Sequence, residues 1–401
     1  MRIKSIAAKQ VYSDLGPAAI EVSLETETGI KTSALATPFM SGNIRYAAIY
    51  DYSDNNFNKG LGSSVNYINT VIAPRICDVS ITDIEDADSL IFEEDKENAG
   101  LAGIAAFSQA SAKAIAIETK TPLFNIFGTA CSPRMPLPVY SAANGSTRYS
   151  AEKNEGNKPE YFFVSYGFEN YSEGFYALWI TAKKYATLLS AVLQVKVEID
   201  SQIMIPKDRI STDIVIFDIM TRAIEDAGYV GRVGIGVDLS GNLFFDGESN
   251  SYVNILKKGS FSSDEFIDEI AELCSKYDIK TLINPFDINF TEGYEIIKKL
   301  GVSVIVSDWL FESLDEMTEY ARYNSLGICM SLENSGTISA ALNAARIAKE
   351  DNRQVVLATN GLQEETLADY AVALGCDYLC CSGISFIANR IAEIDEIIRR
   401  G

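Results

Sequence analysis

From residue 137 onward, short hydrophobic runs recur in a strand-then-helix rhythm. Each ends in a polar cluster and is followed by an amphipathic stretch. The pattern predicts strands at 161–166, 233–239, 281–285, 303–308, 327–332, 355–359 and 378–382. It predicts helices at 212–227, 263–277, 292–300, 314–323, 339–349, 364–374 and 386–399. Six strand–helix alternations in succession predict a parallel sheet, and their number and length favour a closed barrel over a doubly wound sheet. No Gly-x-Gly-x-x-Gly opens a helix after the first strand, which disfavours a dinucleotide fold.

The first 130 residues have a different texture. Alternation over 3–12, 18–25 and 31–36, with turn residues at 14–17 and 26–29, predicts a three-stranded antiparallel meander. A loop rich in Gly, Ser and Asn follows over 38–66. The small-residue run GLAGIAAFSQASAKAIAIE at 100–118 predicts a closely packed helix. CSPRMPLP at 131–138 carries three prolines and marks the start of a second domain, dividing the chain into 1–135 and 136–401.

Three of the predicted strands end on oxygen-bearing side chains: Asp238 in VGIGVDLSGNLFF, Asn284 in TLINPFDIN and Asp308 in SVIVSDWLF. In a parallel barrel the strand ends converge on one mouth, so the triplet predicts a site for a hard cation such as magnesium. The middle position is Asn where a charge is expected, and affinity at such a site scales with ligand charge. The bland alternative for the two aspartates is capping and loop turning at strand ends.

Composition narrows the chemistry. The chain has 401 residues, 47 % of them hydrophobic, enough for a large core. Its net charge of −21 lacks the basic footprint that nucleic acid requires, and fits a soluble cytoplasmic protein. No run of eighteen apolar residues predicts a membrane span. The opening MRIKSIAAKQVYSDLG reads as a strand rather than a signal peptide. There is no histidine at all, which excludes Ser-His-Asp and Cys-His catalysis. Among seven scattered cysteines, Cys376, Cys380 and Cys381 cluster near one strand. Without histidine or a second CxxC they read as reduced thiols rather than a zinc site. Adjacent Cys380 and Cys381 face opposite sides of their strand. With no base to activate a thiol, both read as packing residues.

The order of these features resembles the enolase family. AKQVYSDLGPAAIEV at 8–22 is similar to the family's opening strand, turn and strand, and MPLPVYSAANGS at 135–146 to its approach to the barrel. GVDLSGNLF, INPFD and VSDWL resemble its three metal-binding strand ends. LENSGTISAALNAARIA at 332–348 resembles the next strand-to-helix step, and the tail from Cys381 to Arg400 the final helix. The resemblance implies an α/β protein with an enolase-like (β/α)8-type barrel and a smaller N-terminal α+β capping domain.

It also implies which residues stand at the family's working positions. Ser331 stands where a lysine serves as the base, and Cys381 where a second lysine helps hold the substrate carboxylate. Thr359 and Asn360 stand where a histidine and an arginine bind substrate and phosphate, with Gly361 beside them in the same pocket. The general-acid glutamate falls near Ser201, and another active-site glutamate near Phe162. Ser41, in PFMSGN, matches the serine that closes over the metal. Asp238 and Asp308 keep metal carboxylates, and Asn284 replaces the third. Trp309 either fills substrate space or simply packs, and Glu333 either enters the mouth or stays in solvent.

Removing a weakly acidic proton beside a carboxylate needs a base tuned toward neutral pH and cations that stabilise the enediolate. Serine offers no such base, and the only lysine after residue 300 is Lys349, on a predicted helix. The expectation is therefore a catalytically degenerate homologue with a weakened magnesium site, acting as a binding or regulatory protein. A small anionic ligand, a homodimer or a true enolase are the expected partners. The alternatives are an active phosphopyruvate hydratase, a related magnesium-dependent carbon–oxygen lyase with an altered substrate, and a scaffold with no ligand site.

Overall fold

The computed structural model describes residues 1–13, 18–38, 43–47, 49, 60–127, 135–144, 158–199, 203, 205, 209–359, 364–380 and 384–400, with side chains at all but 380 and 384–386. They fall into two compact units. One comprises Met1–Met135, Ser307–Tyr320 and Ile328–Asp377; the other comprises Pro136–Val306, Ala321–Gly327 and Tyr378–Gly401.

The first unit opens with β1 (Ile3–Tyr12), β2 (Ala18–Thr26) and β3 (Lys31–Ala36), an antiparallel meander in that order. Strand periodicity turns Ile20, Val22 and Leu24 of β2 and Ala34 and Ala36 of β3 inward. Helix Glu93–Thr119 packs against β2 and β3, and every residue from Ala99 to Ala112 is buried. A helix covered on all sides needs no amphipathic stripe, which explains its uniform small apolar composition. It starts earlier than the sequence predicts. A charged turn from Glu93 precedes a kink at Gly100, whose φ of +75° is a conformation that glycine adopts without steric cost. By length and composition alone this helix could cross a membrane, yet it lies buried within its unit.

The second unit is built on β4 (Val139–Asn144), β5 (Glu160–Ser165) and β6 (Val233–Asp238), followed by a small antiparallel sheet of β7 (Phe245–Asp246), β8 (Ser251–Val253) and β9 (Ser260–Ser262). Then come β10 (Ile279–Ile283) and β11 (Ser303–Ser307). β6, β10 and β11 pair in parallel, as the alternation predicts. β5 does not: it runs antiparallel to both β4 and β6. The cause is visible between β5 and β6, where helices Tyr171–Leu193 and Ile214–Ala227 follow one another and pack together. A single crossover helix returns the chain for a parallel strand; a second helix adds one more reversal.

The remaining strands are β12 (Gly327–Met330), β13 (Val355–Ala358) and β14 (Tyr378–Cys380). β12 and β13 pair in parallel, and within the second unit Leu137 bridges Tyr378 in parallel beside β4. In the second unit β10, β6, β5 and β4 are successive neighbours of one sheet, with β11 on the other side of β10. Helix Tyr171–Leu193 and the sheet β7–β9 are absent from the sequence expectation. Strands of two or three residues are too short to display alternation.

Candidate functional site

Within the second unit, Asp238 ends β6 and is buried. Its Oδ1 accepts the Ser240 N–H at 3.0 Å and the Ser240 hydroxyl at 2.9 Å. Its Oδ2 accepts the Lys158 ammonium, which also reaches Glu160 Oε2 at 3.3 Å. The Lys158 side chain is 25 % exposed. Burial alone would lower its pKa, but the Asp238 and Glu160 carboxylates overcome that and hold it well above the usual lysine range. The cluster exists because β5 is antiparallel to β6: the register sets Glu160, the first residue of β5, opposite Asp238, the last of β6.

Asn284 follows β10 on the neighbouring strand and is fully buried. Its N–H donates to Ile305 O at 2.9 Å, and its carbonyl accepts the Gly241 N–H at 2.8 Å. Its φ of +47° lies in the left-handed region, which Asn tolerates better than most side chains. Gly241 is required for the same approach, since a Cβ there would run into the Pro285 carbonyl. Strand β10 stands beside β6, with Ile283 in register with Asp238 and Leu239 N–H donating to Ile283 O at 3.0 Å.

Within the first unit, Asp308 and Ser331 are joined directly. The Ser331 N–H donates to Asp308 Oδ2 at 2.8 Å, and the hydroxyl lies 3.3 Å from the same oxygen. The Ser331 Oγ also accepts the Asn334 N–H at 3.2 Å, capping the short helix Leu332–Ser335. Burial pushes the Asp308 carboxyl up to about 6, against hydrogen bonds from the Ser331 and Trp309 N–H groups, the Asn334 amide and the Ser331 hydroxyl. Glu333 is also buried, 4 % exposed, rather than solvated. Burial pushes it up to about 7, its own N–H partly offsets that, and the nearby charges of Asp308 and Glu364 add to the rise. Glu364 itself accepts the Lys113 ammonium at 2.6 Å and the Leu35 N–H at 3.3 Å.

The sequence-derived residues thus separate by unit. Asp238 and Asn284 lie on adjacent strands of the second, while Asp308 and Ser331 touch in the first, where half-buried Thr359 follows β13. Ser41, Ser201, Asn360, Gly361 and Cys381 lie outside the described residues. Two residues beyond Ser41, Asn43 is anchored: its N–H donates to Trp309 O at 2.8 Å and its amide to Leu310 O at 2.9 Å. Trp309 is half-buried. Phe162 is a packing residue. It pairs with Gly236 in mid-strand, and its ring occupies the space that a Cβ on Gly236 would need. The carboxylate that β5 brings to Asp238 is Glu160, and the cation is Lys158. Sequence reasoning missed both, and only the polar start of that strand, NKPEY, signalled them.

The arrangement can be tested against a magnesium ion. A hard dication needs oxygen lone pairs and negative charge left available to it. In the second unit Asp238 gives one oxygen to Ser240 and the other to an ammonium, and Asn284 contributes no charge. Among the described residues no three of His, Cys, Asp or Glu converge as a metal-ligand group. Asp238 and Asn284 as arranged do not fit the ion.

Comparison with known proteins agrees with the fold. A family model described as the enolase N-terminal domain matches residues 3–127, and one described as the enolase C-terminal TIM barrel domain matches residues 135–400. The enolase of Methanothrix thermoacetophila is 27 % identical over 420 residues, covering 100 % of this chain and 95 % of its own. That of Methanopyrus kandleri is 28 % identical over 99 % of this chain and 95 % of its own, and that of Thermococcus kodakarensis 26 % over 99 % and 94 %. With both domain models matched in order along nearly its whole length, the chain belongs to the enolase family.

Proposed function

We propose that this chain is a catalytically silent member of the enolase family that acts by binding. The observation carrying it is the state of Ser331, at the position the resemblance assigns to the base. Its hydroxyl caps a helix and bonds to Asp308, and a serine there has no proton affinity to offer near neutral pH. Lys158 does not replace the missing base. Its carboxylate neighbours keep it protonated, and a general base must be free to accept a proton.

Magnesium, expected weakly from the resemblance, competes with Lys158 for Asp238. A cytoplasmic location, and assembly as a homodimer or with a true enolase, complete the proposal; family membership supports both. A small anionic ligand is the other candidate for what is bound. The rival function is an active hydratase or related lyase with another substrate. The test is turnover: purified protein with magnesium and 2-phosphoglycerate yields no phosphoenolpyruvate absorbance if the chain is silent, and sustained product formation overturns the proposal.

A further inference from the structure

The mismatch between the second unit's strand ends and a divalent ion has a specific cause. Lys158 puts an ammonium directly on Asp238 Oδ2, while Ser240 saturates Oδ1 with two hydrogen bonds. Glu160 shares that ammonium at 3.3 Å and is supplied by the register of an antiparallel strand. Only 9 % of the Asp238 side chain is exposed, so its carboxylate must be paired where it lies. Next to it, Asn284 is neutral and buried. One positive charge against the two carboxylates Asp238 and Glu160 leaves a cluster of one net negative charge, so a dication arriving at Asp238 must first displace the ammonium.

We propose that Lys158 is a tethered internal cation that takes the place of a bound metal at Asp238, making this end of the second unit metal-independent. The ammonium has a single charge and is held by its own chain, so it needs no ion from solution. It exchanges coordination for hydrogen bonds that Asp238 and Glu160 accept. The consequence is a strand end whose structure does not respond to magnesium or to chelators.

The test is Mn2+ titration of the full chain followed by the loss of the free-ion EPR signal, with thermal unfolding in 10-fold steps of Mg2+ and in EDTA. The wild-type chain is expected to bind no Mn2+ in the low-millimolar range and to unfold at the same temperature in Mg2+ and EDTA. Lys158→Gln is expected to gain binding by at least 10-fold and a Mg2+-dependent rise in unfolding temperature, both lost again in Lys158→Gln/Asp238→Asn. Lys158→Met, which keeps the apolar stem and drops the charge, replaces Lys158→Gln if that variant does not fold. Wild-type binding that Lys158 variants do not strengthen overturns the proposal, as does a neutral variant that folds and binds no better than wild type. A magnesium-binding wild-type chain without turnover would sink this proposal alone. Turnover in EDTA would sink the silent-family-member proposal and leave this one standing.

Discussion

The Ser331 N–H and hydroxyl lie 2.8 and 3.3 Å from the same oxygen of Asp308. A residue expected at a catalytic base position and one expected at a metal position therefore satisfy each other, and Ser331 caps helix Leu332–Ser335 as well. Ser331→Ala removes the cap and one donor to a buried carboxylate. It is expected to cost about 1–2 kcal/mol of stability, read from urea unfolding. Ser331→Thr keeps both roles and is expected to recover most of it.

Glu333 gives the protein a pH signature. Its ordinary carboxyl value is 4.5, and burial raises it to about 7 in the native state. Between these values the native chain holds a proton that the unfolded chain has released. Stability therefore falls as pH rises through this window, by up to about 1.4 kcal/mol per pH unit for the one proton. Asp308, raised to about 6, contributes in the same direction below that pH. Unfolding midpoints between pH 6 and 7 are expected to slope downward in the wild type and to flatten in Glu333→Gln. An upward slope there would contradict the assignment.

Lys113 and Glu364 form a largely buried ion pair at 2.6 Å, with side chains 18 % and 22 % exposed. Lys113→Met leaves Glu364 near Glu333 without its counter-charge and is expected to cost about 3 kcal/mol. Adding Glu364→Gln is expected to return part of that loss. A double-mutant cycle would then show a coupling above about 1 kcal/mol, whereas additive losses would show the pair to be inert.

Gly236 and Phe162 test the packing between β5 and β6. A methyl group on Gly236 meets the Phe162 ring across the antiparallel register. Gly236→Ala is expected to destabilise by about 1–3 kcal/mol, as overpacked cores do. Shrinking the ring in Gly236→Ala/Phe162→Leu is expected to relieve part of that, measured by the same unfolding curves.

Much of this molecule was legible in its sequence. Strand ends at Asp238, Asn284 and Asp308 follow from hydrophobic runs that stop at polar clusters, and β6, β10 and β11 fall within two residues of their expected bounds. Lys158 and Glu160 were not legible, because which end of β5 meets Asp238 depends on the direction of that strand. Direction is set by the two helices between β5 and β6, one of which, Tyr171–Leu193, carried no recognised signal. The burial of Glu333 was hidden for a related reason. It follows a serine whose capping role appears only once Asn334 and Asp308 are in place around it. Local pattern reports where an element lies; which side chains meet is decided by contacts between elements distant in sequence.

The most direct measurement is phosphoenolpyruvate formation, followed by absorbance, from 2-phosphoglycerate and magnesium with the purified full chain. A true enolase serves as the positive control. The expected result is no product above the protein-free blank at any magnesium concentration, with Ser331→Ala indistinguishable from wild type because no catalytic group has been removed. Product formation that rises in proportion to the protein added, and falls in Ser331→Ala, would contradict the account.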